Sequence, residues 1–115
     1  MSYDVSLMKN GEPVKVERHT EGVAIVLGGT RDAEMSVTYN YAQYFYKALC
    51  QENGLRALNG KRGADTIAAL AGAVSQLGTV QDSDYWARTP GNAGYALNVL
   101  LQWAEQHPDG IWEVY

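Results

Sequence analysis

The stretch Met35-Ser36-Val37-Thr38-Tyr39-Asn40-Tyr41-Ala42-Gln43-Tyr44-Phe45-Tyr46-Lys47-Ala48-Leu49 changes its period in the middle. Met35, Val37 and Tyr39 alternate with Ser36, Thr38 and Asn40, the two-residue repeat of a half-buried strand. From Tyr41 the apolar positions become Tyr41, Tyr44, Phe45, Ala48 and Leu49, one stripe of an amphipathic helix. Asn40 has the residue type of an N-cap, and Asn53-Gly54 supplies the stop.

On the N-terminal side the strand period prevails. Tyr3, Val5 and Leu7 alternate with Asp4 and Ser6. Asn10-Gly11 then supplies the positive φ angles of a tight hairpin turn, and Val14 and Val16 alternate with Lys15 and Glu17. Val23 to Leu27 is a continuous apolar run stopped by Gly28-Gly29, which predicts a further strand before the one at Met35. Towards the C-terminus the helical period takes over. One helix is expected over about 64–77, with Ile67, Leu70, Ala71, Val74 and Leu77 inward and Gly78 as its stop. Another is expected over 90–106, with Thr89 as N-cap, Pro90 at the first position, and Ala93, Ala96, Leu97, Leu100, Leu101 and Ala104 buried. Pro108 ends it, and Ile111-Trp112-Glu113-Val114-Tyr115 has the composition of a closing strand. The expected fold is α+β: a small antiparallel sheet of about five strands, four N-terminal and one C-terminal, with three helices packed on one face.

The 115 residues suit a single domain with one core. Nine Lys and Arg against thirteen Asp and Glu give a net charge of −4, the wrong sign for neutralising nucleic-acid phosphates. The lone Cys50 excludes an intramolecular disulfide and fits a reducing, cytoplasmic compartment. The N-terminus lacks the pattern of a secretory signal, and the run Val23 to Leu27 is far shorter than a membrane span.

Two glycine-bearing helix starts are candidate ligand sites. At Gly60-Lys61-Arg62-Gly63 two cations lie ahead of a helix whose first N–H groups and dipole attract anions. The spacing is not that of a P-loop, and a turn whose glycines serve backbone geometry explains the same residues. At Thr89-Pro90-Gly91-Asn92-Ala93-Gly94 the Asn92 amide is placed to meet a ligand. Glycines in a first helical turn each cost about 1 kcal/mol relative to Ala, however, so close packing is the competing reason for Gly91 and Gly94.

Eight Tyr and three Trp against one Phe favour rings with a polar tip, the kind enriched at interfaces. Tyr46 falls off the helical stripe, and Tyr85-Trp86 sits in a segment, Thr79 to Arg88, without a clear element; these three are interface candidates. His19 and His107 are far apart in sequence, and no Ser/His/Asp or Cys/His arrangement can be nominated. Cys50 lies off the stripe with only Lys47 near it. Asp82 and Asp84 lack an EF-hand pattern, so no metal and no cofactor is expected.

Tyr3-Asp4-Val5-Ser6-Leu7, Gly28-Gly29-Thr30, Val37-Thr38-Tyr39-Asn40-Tyr41, Gly54-Leu55-Arg56 with Gly60-Lys61, and Tyr85-Trp86 before Thr89-Pro90-Gly91-Asn92-Ala93 together resemble a family of small uncharacterised phage and prophage proteins. The resemblance spans nearly the whole chain. It implies expression in the cytoplasm of a bacterial host and carries no catalytic residues with it. The resulting expectation is a non-enzymatic protein that contacts a host protein or holds a small anionic ligand. The alternative is a structural protein whose aromatic surface is a homo-oligomer interface.

Overall fold

The computed structural model describes residues 2–16, 32–84 and 86–115. The expected strand at Val23 to Leu27, the turn after it, His19 and Tyr85 lie outside the described residues. The described residues form an α+β fold. Its sheet has four strands, β1 (Ser2–Lys9), β2 (Glu12–Pro13), β3 (Glu34–Thr38) and β4 (Ile111–Val114); its helices are α1 (Ala42–Ala48), α2 (Gly63–Leu77) and α3 (Pro90–Gln106).

β1 is the hub, pairing antiparallel with each of the other three strands. Val5 and Ser6 have partners in both β3 and β4, so those strands flank β1 on opposite edges. The hairpin into β2 turns at Asn10 and Gly11, with φ of 55° and 80°, the two positive angles of a type I′ turn. The return strand is shorter than expected. Pro13 has no N–H to continue a ladder, and the Leu7 N–H is taken by the Ala33 carbonyl at 2.9 Å while the Leu7 carbonyl accepts the Val14 N–H. Val14 and Val16 are nonetheless buried. Alternation along β1 sends Tyr3, Val5 and Leu7 into a core shared with Met35, Val37, Leu97, Leu100, Trp103 and Trp112, and leaves Asp4 exposed on the other face.

Two corrections concern the strand-to-helix corner. Asn40 is not an N-cap. It lies within a 3-10 turn, Tyr39–Tyr41, whose cap is Thr38, the Oγ1 of which accepts the Asn40 N–H at 3.2 Å. α1 then ends at Ala48, before Asn53-Gly54, and a second 3-10 turn, Gly54–Leu58, follows. α3 has the expected bounds, with Thr89 Oγ1 accepting the Asn92 N–H and Pro90 in the first turn. α2 also runs as expected, but its buried positions are Gly63, Thr66, Leu70 and Ala73. Ala71, assigned to the core stripe, is exposed. The helix is rotated because its small residues let it approach α3, its most extensive helical neighbour, and because Thr66 has a buried polar partner described below.

The glycines in α3 are explained by close backbone approach. A Cβ on Gly91 would stand 1.8 Å from the Val80 carbonyl oxygen, and one on Gly94 would stand 1.8 Å from that of Gly78. Gly72, in the middle of α2, has open space where a Cβ would be. Gly91→Ala and Gly94→Ala are therefore each expected to destabilise by about 3 kcal/mol through overpacking against backbone. Gly72→Ala should stabilise by about 1 kcal/mol, raising the thermal midpoint by roughly 4 °C. Thermal and urea unfolding of the three variants checks both signs.

Candidate functional site

The segment Gly60-Lys61-Arg62-Gly63 is a short extended splice along the outer edge of β4. The Gly60 N–H donates to the Trp112 carbonyl at 2.8 Å, and the Trp112 N–H donates to the Lys61 carbonyl at 2.9 Å. Arg62 bridges to Ile111, and the Asn59 Oδ1 accepts the Val114 N–H. Three orphan donors open any α-helix beyond its cap. Here the Gly63 N–H goes to the Gly110 carbonyl and the Ala64 N–H to the Pro108 carbonyl, both at 2.8 Å, and the Asp65 N–H to the Arg62 carbonyl at 3.0 Å. An anion would find these amides taken. Arg62 also turns its guanidinium onto Asp65, with both nitrogens at 3.2 Å, a pairing that holds its pKa above the ordinary arginine value. Lys61 is exposed. Gly63 is required by proximity: a Cβ there would lie 2.8 Å from the His107 carbonyl oxygen.

Asn92 is 5% exposed and every polar atom of its side chain is used within the chain. Its Oδ1 accepts the Asp82 N–H at 2.9 Å, and its Nδ2 donates to the carbonyls of Asp84 and Ala87, both at 3.1 Å. The segment after α2, which has no clear element in the sequence, is thus wrapped around one amide. Two Asx turns reinforce it. Asp82 Oδ1 accepts the Asp84 N–H, and Asp84 Oδ1 accepts the Trp86 N–H, the local bonding that short acidic side chains favour in turns. The other end is fastened to the strand-to-helix corner, where Asn40 Nδ2 donates to the Trp86 carbonyl at 3.0 Å and the Tyr44 hydroxyl to the Arg88 carbonyl at 2.8 Å. The carboxylates of Asp82 and Asp84 therefore act as turn acceptors. Among the described residues no group of three His, Cys, Asp or Glu could hold a metal ion.

This anchoring has a surface consequence. Trp86 is 53% exposed and Val80, on the same loop, 85%. Tyr46, the other described interface candidate, is 38% exposed, and its ring lies over Gly54, 3.3 Å from where a Cβ would stand. One cluster had no sequence signal. The Arg56 guanidinium sits 4.9 Å over the Tyr3 ring and donates to the Tyr39 hydroxyl at 3.0 Å. Tyr3 packs edge-on against Tyr39 and Phe45, and its burial raises the phenol pKa. Only the register of β1 on β3, which pairs Tyr3 with Val37 and Ser2 with Thr38, could have brought Tyr3 close to Tyr39 in the turn that follows β3. Cys50 accepts from backbone N–H groups of the turn at Asn53 and Glu52, which lower its thiol pKa.

Among the described residues the solvent-facing side of the sheet carries two shallow depressions. One of about 260 Å³ is lined by Asp4, Ser6, Met8, Glu34, Glu113 and Tyr115. The other, of about 470 Å³, lies beside it at the hairpin and shares Met8 and Glu113. No family model, curated protein or solved structure matches the chain. Among the described residues no helix is long and apolar enough to cross a membrane.

If Asn92 is a clamp for the loop, Asn92→Ala should cost about 2 kcal/mol, because it removes three part-buried hydrogen bonds, from one N–H and to two carbonyls. The double substitution Lys61→Ala with Arg62→Ala, which removes exposed charge and the exposed Arg62–Asp65 pair, should cost under about 1 kcal/mol. Denaturant unfolding of the two variants side by side makes the comparison.

Proposed function

We propose that this protein acts by non-covalent binding, through contact with a partner protein, in the bacterial cytoplasmic setting that its phage-family resemblance implies. The observation that carries the reading is Trp86, an exposed indole on a loop fixed from both sides by Asn92, Asn40 and Tyr44. A large aromatic carried on backbone that is fixed before binding loses less entropy on docking, which is the property of interface anchors. Of the two modes expected from sequence, protein contact is favoured over an anionic ligand. The first amides of α2 are occupied by carbonyls, and the Asn92 amide is spent on the loop. Lys61 and Arg62 are then solvated charges beside a structural splice. The alternative, self-assembly, would use the same Trp86 surface.

Affinity purification from bacterial lysate with the wild-type chain, Trp86→Ala, and Lys61→Ala with Arg62→Ala separates these readings. A host protein retained by the wild type and the double variant but lost from Trp86→Ala is the expected result. Equal capture by Trp86→Ala would contradict the reading. A concentration-dependent dimer in sedimentation, abolished by Trp86→Ala, would replace it with self-assembly.

A further inference from the structure

The solvent-facing side of the sheet has a definite charge pattern that the Trp86 loop does not involve. The register places Ser6 directly between Glu34 on β3 and Glu113 on β4. Two strand spacings separate those glutamates, about 10 Å between their backbones. Asp4 is the next residue along β1 on the same face, and Met8, paired with Ile111, is the next in the other direction. The small Ser6 side chain thus floors a trough with a carboxylate on either side, a third at one end and an apolar pair at the other. Ile111 is 38% exposed and Tyr115, beside Asp4, 70%.

Among the described residues no Lys or Arg forms an ion pair with Asp4, Glu34 or Glu113. Among the described residues Lys9 pairs with Asp109 and Lys15 with Asp32, and Lys15 feels Glu34 only as a weaker, longer-range charge. Among the described residues the Glu113 carboxylate accepts the Tyr115 hydroxyl, at 2.8 Å. A second copy of this face would bring carboxylates against carboxylates, and a phosphate backbone would be repelled equally. The three carboxylates do not converge on a common point as a metal site requires.

We infer that this face docks a cationic extended segment of a partner protein, its Lys or Arg side chains lying over Asp4 and Ser6 and an apolar side chain on Met8 and Ile111. Positions i and i+2 of an extended chain share a face and are spaced like Asp4, Ser6 and Met8 themselves. The segment therefore has the pattern cation-x-cation-x-apolar. The inference goes beyond the Trp86 loop and does not depend on it.

The probe is the peptide acetyl-Lys-Ser-Lys-Ser-Leu-amide, titrated into the labelled protein and followed by amide chemical shifts, with acetyl-Glu-Ser-Glu-Ser-Leu-amide as control. The expected result is saturable movement of the Ser6, Met8, Glu34 and Glu113 amides with the lysine peptide only. Glu34→Gln with Glu113→Gln should weaken it about fivefold. Glu52→Gln with Glu105→Gln makes the same change in net charge elsewhere and should leave it within twofold, as should Trp86→Ala. Equal weakening by the two glutamate pairs would reduce the effect to net charge and overturn the inference. So would the absence of saturable shifts, or shifts centred on Trp86.

Discussion

The structure depends on β4 being paired along both of its edges. On one side Ile111–Val114 completes the ladder with β1; on the other its backbone is bound by the segment from Asn59 to Arg62 that leads into α2. Trp112, fully buried between them, donates its indole N–H to Thr66 Oγ1 at 2.8 Å, and that hydroxyl donates to the Gly63 carbonyl at 2.8 Å. One ring thus joins the sheet, the splice and the first turn of α2. Its burial contributes about 3 kcal/mol, and its N–H has a partner, as a buried donor must. Without this joint neither the start of α2 nor its contact with α3 would be fixed.

Elements with strong local signals were legible in the residues. The Asn10-Gly11 hairpin, the strand at Met35 and Val37, the C-terminal strand and both bounds of α3 follow from period, caps and turn chemistry. What was not legible is where a polar or small residue answers to something distant in sequence. Thr66 lies outside the apolar stripe of α2 and is buried because Trp112 is placed against it. Asn40 reads as a cap, yet Thr38 caps the turn and the Asn40 side chain instead reaches Trp86, 46 residues away. Asn92 reads as a ligand contact, because an amide's partners cannot be assigned before the loop around it is known. The Gly60 to Gly63 segment shows the same ambiguity. Glycine before a helix permits an approaching phosphate and an approaching strand alike, and here the strand is β4.

The same physics separates scaffold from contact surface. Gly63, Gly91 and Gly94 are explained by backbone approach within the chain, and Asn92 by a loop that needs its amide. The features left most exposed are Trp86 and Val80, and the outer sheet face carries its carboxylates around Ser6. Loops that carry function are commonly positioned by a rigid support; here the support is three side chains bonding to one loop. A protein organised this way presents surfaces in fixed positions, and that is the basis for proposing that it acts by binding.

Native-state hydrogen exchange at the Gly60, Gly63, Ala64 and Trp112 amides tests the doubly paired joint most directly. These protons should exchange only through global unfolding, with protection matching that of the Leu7 amide in β1. Exchange of the Gly60 and Gly63 amides at the rate of an open loop, well before Leu7, would show that the start of α2 is not held by β4 and would return those N–H groups to the pool available to an anion.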